Sequence, residues 1–242
     1  MEDDGTDREQ LRVDRELSRQ DNRRLRALKL TGVAVFVVGI ATLAGIAVGV
    51  TGKGGSESTQ ERPVVTGPRR APATLTVYED FRCRGCRDFE ERFGRTVEDL
   101  QRSGRLRTEH HLVARIDDTR GGHGSVRAAE AALCALDEHK FTPYRRVLYD
   151  GQPPERKDTF AEREHLLRLA EKVPGLSTRE FEKCVRHGLQ AGRADRMNAA
   201  YADSRHAAPP LVLLDGKRLD VARDGGGLTP RELRKSVEGK RS

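Results

Sequence analysis

Tryptophan is absent, and aromatic residues make up only 5% of the 242-residue chain. The aromatic interleaving that stacks nucleic-acid bases is therefore missing, and no nucleic-acid partner is expected. Only four cysteines are present, which excludes a disulfide-dense mini-scaffold. The paired Cys/His spacing of a zinc site is also lacking. Cys134 and Cys184 each stand alone, and the adjacent His110 and His111 would point to opposite faces of a strand. No metal is expected, nor is any cofactor. No internal repeat is visible. Charged residues at 34% against 36% hydrophobic make the chain polar, but not polar enough for wholesale disorder.

The most informative absence is local: from Leu30 to Val50 no residue is charged. About 20 apolar residues cross the roughly 30 Å hydrocarbon core as a helix. A buried soluble helix rarely runs so long without a charge. A cleaved signal peptide would have an apolar core of roughly 7–15 residues after a short basic start. Here the run is longer and residues 1–29 precede it, so an uncleaved single-pass anchor is expected. Arg23, Arg24, Arg26 and Lys29 crowd its N-terminal side, whereas Lys53 stands alone close to the other end. Basic flanks stay in the cytoplasm. The charged tail 1–29 is therefore expected inside the cell and residues 51–242 outside it.

Residues 51–72 are rich in Gly, Ser, Thr and Pro and are expected to form a flexible linker. A domain is expected from Ala73 to the end. A strand pattern covers Thr74 to Tyr78. Phe89, Phe93, Val97 and Leu100 then recur at helical spacing. A second strand is expected over Leu106 to Ile116. Helices follow over Ser125–His139 and Pro143–Tyr149. Two more follow the capping-box patterns Thr159-x-x-Glu162 and Ser177-x-x-Glu180. A polar helix over Gly192–Ser204 continues the last of these. Leu211–Leu214, the turn Asp215-Gly216 and Lys217–Val221 read as a hairpin. A final helix is capped by Thr229, with Pro230 at its first position and Glu232 at its third. The order βαβ, helices, ββα predicts an α/β fold: one mixed sheet with a helical insertion at about 122–205.

Cys83-Arg84-Gly85-Cys86 falls where the first strand ends and the first helix begins. A thiol at a helix N-terminus faces unpaired N–H groups and the positive end of the dipole, which favour the thiolate. The thiolate is the species that attacks disulfides. Arg82 and Arg84 are expected to lower the pKa further, and Cys86, one turn on, to be more buried. Half a zinc site is an alternative whose second half is missing. An inert bridge is another, which the strand-to-helix placement disfavours. Cys134 and Cys184 both lie on apolar helix faces. Spacing alone reads them equally well as a staple or as two buried thiols.

Tyr78 to Glu90, Y-E-D-F-R-C-R-G-C-R-D-F-E, resembles the D-F-x-C-P-x-C segment of DsbA-like thioredoxin-fold thiol–disulfide oxidoreductases. Ala131 to Tyr149 resembles the start of that family's helical insertion, and Phe181 to Gly188 its later cysteine segment. Ala208 to Lys217 resembles its T-P-T-F-x-x-N-G-K. The chain thus resembles a membrane-anchored bacterial member over about 73–242. The resemblance implies a thioredoxin-like fold preceded by one transmembrane helix, with Cys83 and Cys86 catalytic. It also implies a cis-proline at Pro210, substrate binding by Pro209 and Pro210, and a structural Cys134–Cys184 disulfide. The expected partners are exported proteins with thiols or disulfides and a redox partner that recycles the dithiol. Three positions depart from the family pattern. The dipeptide is Arg-Gly, Pro209 replaces Thr or Val, and Val77 stands where relatives carry a buried acid, with Glu79 and Asp80 displaced from it.

The leading expectation is an extracytoplasmic enzyme that forms or isomerises disulfides. A dedicated reductase, for example for cytochrome maturation, would use the same motif in the other direction. A non-catalytic thioredoxin-like binding module is the reading from another class.

Overall fold

The computed structural model describes residues 62–204, 206–221 and 227–240, all within the unit Ser56–Ser242. The expected tail 1–29, the membrane helix 30–50 and most of the linker lie outside the described residues. Among the described residues, no helix is long and apolar enough to cross a membrane.

The sheet contains five strands: β1 (Val64–Thr66), β2 (Ala73–Glu79), β3 (Leu106–Leu112), β4 (Leu211–Leu214) and β5 (Lys217–Arg218). Their spatial order is β1-β3-β2-β4-β5. Only β2 and β3 are parallel, joined by the crossover helix α1 (Arg84–Arg102). Parallel neighbours need such a crossover, and the hydrophobic period of α1 supplies it. Buried and part-buried residues alternate along β3, so His110 is buried at 5% exposure while His111 faces the other way. In β2 the alternation breaks at its end, where Val77, Tyr78 and Glu79 are all buried. That end is covered on both faces, and the site is built there.

Two of the three apolar clusters among the described residues make up most of the core. Leu75 and Val77 pack with Phe89, Phe93 and Leu100 of α1 and with Leu233 and Val237 of the last helix, α8 (Pro230–Glu238). The larger cluster centres on the insertion. Its helices are α2 (Arg115–Arg120), α3 (Gly124–Asp137), α4 (Phe141–Asp150), α5 (Arg163–Ala170), α6 (Arg179–His187) and α7 (Ala191–Asp203). Ala128, Ala129, Ala131, Ala132 and Ala135 make α3 the axis of this group, buried nearly all round. Small side chains let the neighbouring helices approach, and a helix buried on every side needs no polar face. Phe81, Cys83 and Cys86 belong to the same cluster, so the dithiol sits against the insertion.

The structure corrects the sequence expectations at six points, one of them the return strand of the hairpin, which covers Lys217–Arg218 and not Lys217–Val221. Val64–Thr66, expected in the linker, pairs with β3 at His110, Glu109 and Thr108. The second strand stops at Leu112, and Arg115–Arg120 turns helical. Thr159 does not cap a helix: Thr159–Ala161 is a 3₁₀ turn, and α5 starts at Arg163 behind Glu162. The cap of α6 is Thr178, one residue beyond Ser177, and its side chain accepts from the Phe181 N–H. Gly188, left-handed at φ 61°, ends α6, so α7 is a separate helix. The final helix keeps its expected start, with the Thr229–Glu232 capping box and Pro230 both in place. Asp215 and Gly216 both have positive φ, 48° and 77°, as a tight two-residue hairpin requires.

Candidate active site

The chain leaves β2 through Asp80, Phe81 and Arg82, all at most 2% exposed, and enters α1 at Cys83. Cys83 is the N-cap of α1, with φ −75° and ψ 119°, and its side chain caps nothing. Its carbonyl accepts from the N–H groups of Cys86 at 3.1 Å and Arg87 at 3.3 Å. Cys83 keeps 7% exposure, whereas Cys86 has 1%. The structure holds both as free thiols.

Their acidities diverge. A hydrogen bond from the Cys86 side chain, helped by the Cys86 and Gly85 backbone, holds the Cys83 thiol below the ordinary cysteine value despite its burial. Burial pushes the Cys86 thiol well up, and the Cys83 neighbour adds to the rise. The pair thus presents one nucleophile and one reluctant acid.

The Pro209–Pro210 peptide bond is cis. The Pro209 carbonyl accepts from Cys83 Sγ at 3.3 Å. The loop comes this close because residue 85 is glycine: a Cβ there would lie 2.9 Å from Pro210 Cδ. Residues 83–86 and 209–210 are thus brought together from opposite ends of the domain.

Arg82 and Arg84, both expected to tune the sulfur, are placed differently. Arg82 is 2% exposed, and its guanidinium turns onto the insertion. It pairs with Asp117 at 2.6 Å and Asp158 at 2.9 Å, and donates to the carbonyls of Gly121 and Glu155. Those two carboxylates offset its charge and also accept from backbone N–H groups. Asp117 takes those of Ser125 and Val126, and Asp158 those of His123 and Gly124. Arg84 is exposed. Hydrogen bonds, with neither arginine among the main influences, account for the Cys83 shift.

Asp80 lies beneath the dithiol. Burial pushes its carboxyl up to about 6, although it accepts from the N–H groups of Ile116 and Arg82. Its own N–H points at Cys86 Sγ at 3.5 Å. Glu79, one residue earlier, is part of a buried ion cluster. Arg145 spans both Glu79 oxygens, His110 Nδ1 lies 2.8 Å from one, and the Tyr149 hydroxyl donates to the other at 2.8 Å. Arg145 also pairs with Glu90. Burial alone would raise Glu79, but Arg145 and His110 outweigh it and hold the carboxyl far below the usual range.

Sequence reasoning missed Gln152, whose Nε2 donates to the carbonyls of Phe81 at 2.7 Å and Cys83 at 3.0 Å. It also missed Asp117 and Asp158. No short-range pattern marks them; only proximity in the fold does. Away from the dithiol, Cys134 and Cys184 are bonded, joining α3 to α6. Among the described residues, no three His, Cys, Asp or Glu side chains form a group that could hold a metal.

A parallel βαβ unit, an antiparallel hairpin, a helical insertion and an asymmetric dithiol beside a proline loop define a thiol–disulfide oxidoreductase of thioredoxin-like architecture. The family model described as thioredoxin matches residues 59–237, and the chain belongs to that family. Among solved structures, reduced DsbA from Mycobacterium tuberculosis is 27% identical, with a TM-score of 0.61 over 74% of this chain and 93% of that one. The disulfide bond oxidoreductase DsbG from the same organism is 26% identical, with a TM-score of 0.61 over 74% of this chain and 88% of that one. BdbD from Bacillus subtilis, at 19% identity and a TM-score of 0.59 over 74% and 96%, shares the fold. No curated protein matches the chain.

Proposed function

We propose that this chain is a membrane-anchored, extracytoplasmic enzyme that forms or isomerises disulfides in exported proteins through Cys83 and Cys86. The observation that carries the reading is the opposite shift of the two thiols, with the acidic one less buried and beside the Pro209 carbonyl. A stabilised Cys83 thiolate favours the reduced form of the pair, and so makes its disulfide the stronger oxidant. That supports oxidation over reduction. An inert binding module has no use for such a difference.

In the proposed cycle the Cys83–Cys86 pair begins as a disulfide. A substrate thiolate attacks Cys83 Sγ, and Cys86 leaves and takes up a proton, as its high pKa favours. A second substrate thiolate attacks the substrate sulfur of the mixed disulfide and expels Cys83, a good leaving group because its pKa is low. The substrate loses two thiol protons and two electrons, and the enzyme is left as a dithiol. A separate redox partner must then remove two electrons and two protons. No cofactor takes part in either step. Pro209 and Pro210 would border the path of the substrate chain next to the sulfur.

The anchor reading rests on the uncharged run Leu30–Val50 and on the basic residues before it. It makes residues 1–29 a cytoplasmic tail and residues from about 51 the tether of the outer domain. Three measurements test the proposal. Cys83→Ser must abolish exchange with a peptide dithiol, and Cys86→Ala must accumulate mixed disulfides. The equilibrium of the pair against glutathione must lie on the oxidising side. External protease must reach the domain in intact spheroplasts. Full exchange by Cys83→Ser, or protection of the domain from outside, overturns the reading.

A further inference from the structure

A cleft of about 630 Å³ opens beside the dithiol, between the start of α1 and the segment that follows α4. Arg84, Arg87, Arg120 and Arg156 line it, together with Gln152 and three carboxylates, Asp88, Glu91 and Glu155. It adjoins two neighbours of the reactive residue. Arg84 follows Cys83 in the chain, and Gln152 holds the Cys83 carbonyl. Neither Cys83 nor the Pro209–Pro210 loop lines it, so it is a second surface, reached through the residue that follows the nucleophile.

Two of the four guanidiniums are engaged. Arg87 pairs with Glu91 at 2.8 Å and Arg120 with Glu155 at 3.1 Å. Arg84 and Arg156 are exposed, and their side chains have no carboxylate partner among the described residues. Asp88 also borders the cleft but already has a partner of its own. The first turn of α1 carries no acidic residue of its own, although Glu155 accepts from the Arg84 N–H at 3.2 Å and offsets part of the positive end of its dipole. Unpaired arginines in a cleft seek carboxylates, which they can grip with two parallel bonds.

The geometry points to a substrate preference: the cleft takes a polypeptide with Asp or Glu a few residues from the cysteine undergoing exchange, held by Arg84 and Arg156. This deepens the proposed function and rests on it. A chain whose sulfur reaches Cys83 brings its neighbouring residues past Arg84.

The test uses three peptide dithiols that differ only in two residues flanking the cysteine: Asp-Asp, Ser-Ser or Lys-Lys. An exposed ion pair contributes up to about 1 kcal/mol, or about fivefold, so two pairs give an acidic-over-basic ratio in kcat/KM of about 5- to 30-fold at low salt. At 1 M salt the screening length falls to about 3 Å, and the ratio must shrink towards one. Arg84→Gln with Arg156→Gln must also bring the ratio near one. Each ratio is taken within one protein, so a general loss of activity cancels. A ratio near one in the native enzyme, or one that survives both substitutions, overturns this inference while leaving the exchange chemistry intact. No exchange with the Ser-Ser peptide would instead refute the enzyme reading itself.

Discussion

Replacing Gly85 with alanine separates the role of the proline loop from the chemistry of the thiols. The added Cβ would lie 2.9 Å from Pro210 Cδ and 3.6 Å from its Cγ. Carbon atoms prefer about 3.5–4.0 Å, so the loop must retreat by about 0.6–1 Å. A misplacement of about 1 Å at a reacting centre can cost about 100-fold in rate. The helix itself loses nothing, because alanine is favoured over glycine in a helix by up to about 1 kcal/mol. The Gly85 N–H that assists the Cys83 thiolate is also kept. Stability should therefore hold or rise slightly, while kcat/KM for a peptide dithiol falls about 10- to 100-fold. The assay pairs that turnover with the alkylation rate of Cys83 by iodoacetamide, which needs no proline loop. Alkylation should change by less than about twofold. Unchanged peptide turnover, or a parallel fall in both rates, would refute the close-approach argument.

Three further outcomes follow from the buried groups. Asp80 has a native pKa of about 6 against an unfolded value near 3.8, so it binds more protons folded than unfolded between those values. The native protein should thus lose about 3 kcal/mol relative to Asp80→Asn as pH rises from 3.8 through 6. Urea unfolding at pH 4 and 7 checks this, and the same variant should lower the Cys83 pKa further, because the Asp80 charge raises it. Arg145→Met leaves the Glu79 charge buried without its main partner and should cost about 3–5 kcal/mol. Adding Glu79→Gln should recover much of that loss, and a single-variant cost under about 1 kcal/mol would show the cluster to be solvated. Replacing both Cys134 and Cys184 by alanine should destabilise the domain by about 4 kcal/mol, from a cross-link 50 residues apart; denaturant unfolding measures it.

What the sequence made legible was local. Cys83-Arg84-Gly85-Cys86 could be placed at a strand–helix junction because the period changes from two to 3.6 across it. Thr229, Pro230 and Glu232 named a helix start because a cap needs only four consecutive residues. Val64–Thr66 escaped notice because three residues have no measurable period, and their pairing lies more than 40 positions away on β3. The Thr159-x-x-Glu162 pattern misled because Asp158, just before it, accepts from the start of α3 and pairs with Arg82. The acids near Cys83 could be listed but not ranked. Only the fold reveals that Glu79 is locked by Arg145, whereas Asp80 faces the dithiol without a cationic side chain paired to it among the described residues. Arg82 and Arg84 look equivalent in the sequence, and burial separates them.

Arg82 has a consequence for protein engineering. The residue just ahead of the nucleophile is fastened to Asp117 and Asp158, which themselves hold the start of α3. A tetrapeptide graft of Cys-Arg-Gly-Cys into another scaffold would transfer the letters without their mounting. The smallest transplantable unit joins the end of β2 to two acidic brackets far downstream, and a chimera that keeps only one side would point its sulfur by chance.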